Sequence, residues 1–199
     1  LLKKYTMKIK FLKTMFLLAL SSSVLTSCVG DDDYVNPTVY EYAFTDGFET
    51  SWADWTKYSV TGAQTWQLDT QYGVEGSNCA KMSGYAGTSN ANEDWLISPA
   101  IDLSELTTAA LSFKTASKFT GNVLEVKISS DYAGGNPNDA TWTNLSATLD
   151  NSNAYTWTGS GKIDISSFVG GNVYVAFKYT STSTASMTWE VDNVKIIKN

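Results

Sequence analysis

Apolar and polar residues alternate one for one along most of this chain. Residues 123–129, VLEVKIS, place Leu124, Val126 and Ile128 on one side and Glu125 and Lys127 on the other. Val173, Val175, Phe177 and Tyr179 interleave with Tyr174, Ala176 and Lys178, Leu111 and Phe113 flank Ser112, and Ile163 and Ile165 flank Asp164. A period of two marks a half-buried antiparallel strand, because successive side chains leave opposite faces of the pleat. Turn-forming stretches such as Ala133-Gly134-Gly135-Asn136-Pro137-Asn138 and Gly159-Ser160-Gly161 separate these runs. From residue 39 onward no segment carries a 3.6-residue period. The pattern predicts an all-β domain over 39–199, a sandwich of two antiparallel sheets or a jelly roll. Its roughly 160 residues suit one hydrophobic core.

The alternation slips once. Trp189 and Val191 share one phase while Val194 and Ile196 occupy the other. A one-residue slip predicts a β-bulge at Asp192-Asn193.

The first 38 residues follow a different pattern. Lys8, Lys10 and Lys13 precede a short apolar run, residues 15–20, and small residues then lead to Leu25-Thr26-Ser27-Cys28. This run is too short to span a bilayer, which takes about 20 apolar residues, and its order is that of a secretory signal. Met7 is the expected start of translation. The ending resembles the lipobox of bacterial lipoproteins, which implies that 1–27 is removed and Cys28 is acylated, anchoring the chain to a membrane. The alternative is an ordinary secretory peptide with an incidental Cys. Asp31, Asp32 and Asp33, in the linker 28–38, resemble the acidic tract of Bacteroidetes surface lipoproteins. They imply an outer-membrane lipoprotein facing the cell exterior; a plain solvated linker is the other reading.

Charge and missing residue types narrow the chemistry. Loss of 1–27 removes five of 14 Lys and none of 20 carboxylates, leaving a net charge near −11. Such a surface repels phosphates, so nucleic acid is not an expected partner. There is no His and no Arg in the chain, which removes imidazole-based triads, His-ligated zinc and guanidinium clamps. No catalytic residues are expected, and the domain reads as a non-enzyme. Cys79 stands alone in the domain and alternates with Ala80, which describes a packed thiol rather than a nucleophile.

A family resemblance enters at residues 92–103, NEDWLISPAIDL. This segment resembles the central motif of cleaved-adhesin, or choice-of-anchor J, domains found in gingipain haemagglutinin regions and Bacteroidetes surface lipoproteins. Residues 124–130, 173–179 and 189–196 follow in the order of that family's later strands. Asn193 stands where the family has a second Asp. The resemblance covers residues 44–197. It implies a jelly roll with structural calcium and a role in adhesion, or in binding glycan or protein, without catalysis.

Two acidic clusters fit that implication. Asp46-Gly47-Phe48-Glu49 opens the domain and Asp192 closes it, and first and last strands of sandwiches commonly pair. Calcium takes six to eight oxygen ligands, so Glu49, Asp192 and Asp46 are the candidate metal ligands. The competing reading makes Asp46 a turn residue and Asp192 a backbone acceptor. Asp94 and Asp102 read as turn or strand-end carboxylates. Glu190-Val191-Asp192 begins the Glu-x-Asp-x-x-Glu strand of laminarinase-type hydrolases, but Lys195 stands where the third acid belongs.

Aromatic residues are abundant: seven Trp, eleven Tyr and eight Phe. Trp95, Phe113, Phe177 and Trp189 fall in apolar phase and are expected in the core. Trp52, Trp55, Trp66, Tyr85, Trp142, Tyr155 and Trp157 lie near turns, and Trp66, Tyr85, Trp142 and Trp157 among them are the candidate stacking residues for a sugar. Two partners remain open: a polysaccharide held on loop aromatics, or a surface protein held on a flat patch.

Overall fold

The computed structural model describes residues 39–198. The readings of 1–27, of Cys28 and of the linker 28–38 lie outside the described residues, and Val39 opens the unit that runs to Asn199. Thirteen strands are described, with four 3₁₀ turns and no α-helix among the described residues. They are β1 (Glu41–Asp46), β2 (Thr56–Thr61), β3 (Gln67–Asp69), β4 (Cys79–Met82), β5 (Asn92–Ile97), β6 (Ile101–Asp102) and β7 (Ala109–Lys118). Next come β8 (Glu125–Ser129), β9 (Thr143–Asn144), β10 (Thr158–Gly159), β11 (Ile163–Asp164), β12 (Asn172–Ser181) and β13 (Thr188–Lys198).

The strands form two antiparallel sheets. A seven-stranded sheet runs β10-β7-β13-β4-β3, with β1 also on β13 and β11 on β7. A six-stranded sheet runs β2-β5-β12-β8-β9, with β6 also on β12. The fold is thus the all-β sandwich that the period of two demands. Both central strands, β12 and β13, lie far along the chain from several partners, so the closing strands complete both sheets.

Between the sheets the inward residues interlock. Phe113 and Phe177 meet edge to face at 5.1 Å, and Trp55 stacks on Phe177 at 6.3 Å and tilts against Phe48 at 5.1 Å. Trp189, Val191, Val194 and Ile196 of β13 all reach this core. They do so across the predicted slip: the β13–β7 register shifts between Asp192 and Lys195, and Asn193 sits at φ 53°. The bulge turns both halves of β13 inward and leaves Asp192 at the kink.

A second, smaller core covers the outer face of the six-stranded sheet. Trp95, Ile97 and Ala176 are buried there with Tyr132, under the segment 130–142. Trp95 is therefore buried but not between the sheets. Its strand has three consecutive apolar residues, Trp95, Leu96 and Ile97, and only Leu96 joins the main core. The inward phase of β5 consequently carries Asn92 and Asp94. Asp94 is 1% exposed, and neither of its carboxylate oxygens has a hydrogen-bond partner among the described residues. It is a buried mid-strand acid rather than the strand-end carboxylate expected from sequence. Asp102 does behave as expected and accepts from Ser104 N at 2.8 Å.

Candidate ligand-binding site

The outer face of the seven-stranded sheet carries a built pocket. With Trp189 and Val191 turned inward, Glu190 of β13 faces out beside its register partner Lys81 of β4. Gln67 of β3 lies on the other side of Lys81. The Lys81 ammonium stands 3.0 Å from Asp69 Oδ2 and 3.5 Å from Glu190 Oε1. Three charges therefore share one floor.

The walls are tyrosines, each fixed by local hydrogen bonds. Asp69 Oδ1 accepts from Gln71 N at 3.0 Å and from Tyr72 N at 3.2 Å. This turn, built by an Asp side chain on its own backbone, brings Tyr72 over Lys81, 5.5 Å from ring centre to ammonium. Tyr155 comes from a loop moored by the buried Asp150. The Asp150 carboxylate accepts from Ser117 N at 2.7 Å, Ser117 Oγ at 3.0 Å and Ser152 N at 2.9 Å. Tyr155 N then donates to Ser117 O at 2.9 Å. Trp157 Nε1 donates to Tyr72 O at 3.2 Å and ties the two walls together. Tyr72, Lys81, Tyr155 and Glu190 enclose a cavity of 390 Å³, within the usual range for small-molecule sites.

The charges in this floor are unequal. Burial pushes the Glu190 pKa up, and the Lys81 ammonium only partly offsets it. Burial also acts to raise the Asp69 pKa, but hydrogen bonds from Lys81, Gln71 and Tyr72 overcome it and the net shift is downward. For Lys81, burial favours the neutral amine, and the two carboxylates outweigh it, so its pKa is raised. Cys79, on the same strand as Lys81, is buried, and burial together with the Glu190, Asp69 and Asp192 charges drives its pKa far up. It is a packed thiol.

Of the four aromatics singled out from sequence, only Trp157 belongs to this pocket, as the brace behind Tyr72. Trp66 is 3% exposed in the main core and donates to Asp94 O at 3.3 Å, so no ligand can stack on it. Trp142 donates to Pro137 O at 2.9 Å and packs on Trp95 and Tyr132, where it covers the outer core. Tyr85 is 60% exposed on a different loop. Tyr72, Lys81, Glu190 and Asp69, which build this pocket, carry no ligand-binding reading from sequence. The Asp-x-x-Tyr spacing of Asp69 and Tyr72 was the available signal.

The two acidic clusters do meet. β1 pairs with β13, placing Asp46 opposite Val194 beside the bulge. A Cβ built on Gly47 would lie 3.6 Å from Asp192 Oδ1 and 3.8 Å from Asn193 Oδ1, so both side-chain oxygens lie beside the β1 end of the seam. Glu49 is tied to the same neighbourhood through Asn78 N, at 2.9 Å, and Asn78 Nδ2 donates to Phe48 O at 3.1 Å. Burial raises the Asp192 pKa, hydrogen bonds from Val74, Asn193 and Ser77 work against it, and the Glu49 charge adds to the rise. Asp192 accepts from Val74 N at 2.8 Å and from Asn193 N at 2.5 Å, the backbone-acceptor role that the competing reading gave it. Asp46 is differently engaged: it accepts from Phe48 N at 2.7 Å, from Ser51 Oγ and from Trp55 Nε1 at 2.8 Å. Among the described residues no three acidic, His or Cys side chains come together as a metal-holding group. A cation here would depend on amide and backbone oxygens as well.

Sheet order and register define a β-sandwich of two antiparallel sheets. The K1 cleaved adhesin domain of Lys-gingipain from Porphyromonas gingivalis W83 is similar over 78% of this chain and 98% of its own, at 17% identity and TM-score 0.56. The K2 domain of Lys-gingipain aligns over 78% and 99%, at 20% identity and TM-score 0.57. A family 11 carbohydrate-binding module from Clostridium thermocellum, solved with a β-1,3-1,4-mixed-linked tetrasaccharide, aligns over 77% and 93%, at 17% identity and TM-score 0.50. At these identities the likeness is one of fold. No curated protein matches the chain in sequence. Residues 72–199 match DUF5017, a domain of unknown function, and the chain belongs to that family.

Proposed function

We propose that this protein is a non-catalytic, cell-surface binding module of the choice-of-anchor J type that holds carbohydrate on the outer face of its seven-stranded sheet. The observation that carries the reading is the pocket of Tyr72 and Tyr155 over the Asp69–Lys81–Glu190 floor. Sugars present apolar C–H faces and a rim of hydroxyls. Aromatic walls take the faces, and a floor holding one donor group and two acceptors takes the hydroxyls. Preorganisation supports it too, since Asp69, Asp150 and Trp157 fix both walls before any ligand arrives.

The same floor argues against hydrolysis. Asp69 and Glu190 both grip Lys81, so the ammonium fills the gap a glycosidic oxygen and water would need between two carboxylates. Delivery to the outer membrane rests on acylation of Cys28. Calcium, held by Glu49 and Asp192 with Asn193 Oδ1, would brace the β1–β13 seam by crosslinking the two ends of the domain.

The test is a glycan array covering plant, microbial and host polysaccharides, read with the protein and with Tyr72→Ala and Tyr155→Ala. Binding to at least one glycan class, reduced in both variants, is the expected result. Silence across the array would overturn the reading and favour a protein partner. Release of reducing sugar from a bound glycan would overturn its non-catalytic part.

A further inference from the structure

The pocket does not stand alone on its sheet face. Two further cavities adjoin it. One of 350 Å³ shares Lys81 with it and runs past Gln67 and Ser83 to Tyr85. The other, of 470 Å³, shares Tyr85 and ends at Phe119. Lys118 lies between the rings of the first and third cavities, with its ammonium 5.5 Å from the Tyr155 ring centre and 5.7 Å from that of Phe119.

The far end is built at a cost. Phe119 is 55% exposed with φ 73°, a left-handed conformation that an aromatic residue seldom adopts. It is held there by its N–H donating to Asn153 Oδ1 at 2.5 Å. Asn153 belongs to the same loop that carries Tyr155. One loop thus positions an aromatic ring in the first pocket and constrains another in the third. Strain that holds an apolar ring in water is the kind of outlier that marks a binding position. Tyr85, 60% exposed, lies across the same cavity from Phe119.

We infer that the three cavities are successive subsites of one groove, and that the ligand is a linear glycan bound along its length rather than a single sugar or a chain end. Lys81 is shared by the first and second cavities and Tyr85 by the second and third, so the three follow one another. Aromatic rings recur along the path at Tyr72, Tyr155, Tyr85 and Phe119. Polar side chains lie between them, which suits a polymer presenting a ring face and hydroxyls at every unit. The inference rests on the carbohydrate reading above and adds the extent of the ligand.

Calorimetric titration with oligosaccharides of two to six units, cut from β-1,3-1,4-glucan, xylan and β-1,4-galactan, tests it. For at least one series, affinity should climb about tenfold or more from the disaccharide to the longer members and then level off. Tyr85→Ala and Phe119→Ala should weaken hexasaccharide binding by about fivefold to tenfold and leave the disaccharide unchanged, whereas Tyr72→Ala should weaken both. Both far-end rings are exposed, so thermal midpoints of those variants should match the parent. Equal affinity for short and long members, or no effect of the far-end variants on the hexasaccharide, would overturn the groove and leave a single-pocket binder. Absence of binding by every series would bring down the carbohydrate reading itself, and the groove with it.

Discussion

Replacing Asp94 with Asn should make this protein more stable at neutral pH. The carboxylate is 1% exposed on the inward face of β5, both oxygens lack partners, and burial raises its pKa from 3.8 to about 6. The Ser59 hydroxyl, opposite it on β2, lies close enough to offset part of that cost without closing a hydrogen bond, and the neighbouring Glu93 charge adds to the rise. The sign follows from proton linkage. Between pH 3.8 and about 6 the folded state binds more protons at this site than the unfolded chain, so stability falls as pH rises through that window and is flat above it. A shift of about two units corresponds to about 3 kcal/mol of penalty at pH 7.5. Asn keeps the shape and removes the charge but leaves a buried amide short of partners, so the net gain should be about 1–2 kcal/mol. For a domain of this size that is a rise of about 2–8 °C in midpoint. Urea titrations of parent and Asp94→Asn at pH 7.5 and pH 4.5 give the answer. The variant should gain at pH 7.5, and most of the gain should vanish at pH 4.5. A variant less stable than the parent at both values would refute the reasoning, because it would mean that the carboxylate is satisfied by a bound water or ion.

Four further outcomes follow from the same structure. Phe177→Ala, which empties the centre of the aromatic core, should cost about 3–5 kcal/mol, measured as a denaturant midpoint. Asp150→Ala removes the acceptor for Ser117 and Ser152; it should cost about 2–4 kcal/mol and abolish glycan binding even where the protein remains folded, as read by circular dichroism and the array. Calcium at 10 mM, against chelator, should raise stability by about 1.4–2.7 kcal/mol if the dissociation constant lies near 10⁻³ to 10⁻⁴ M, and Asp192→Asn should erase that difference. Cys79 should resist a thiol-specific disulfide reagent in the native protein and react on unfolding, since it is buried with a strongly raised pKa.

The strands were legible because burial on one face writes itself into every second residue, and even the bulge showed as a phase slip between Val191 and Val194. The pairing of the acidic clusters was legible too, since it needed only the first and last strands to be neighbours. Trp95 is core as expected, but on the outer face of its sheet, and Asp94 takes the inward face, because a strand covered on both faces loses its alternation and Trp95-Leu96-Ile97 gives no sign of which side is which. The pocket was obscure for a related reason. Lys81 and Glu190 are ordinary outward residues of strands 109 positions apart, and only the β4–β13 pairing makes them neighbours. Trp66 and Trp142, the more conspicuous rings, were taken up by packing, whereas the plainer Tyr72 was turned outward by a hydrogen bond to Asp69.

The pairing of Glu41 with Lys198 places the start of the domain beside the end of its last strand, with an ion pair of 3.8 Å across the join. Thr188, at the opposite end of β13, pairs with Lys118, next to Phe119 and close to the rim cavity lined by Ser186. Eleven extended residues separate these two poles, about 33 Å of reach. The sandwich therefore acts as its own spacer, keeping the cavity at Ser186 and the point where the domain begins at opposite ends of a single strand.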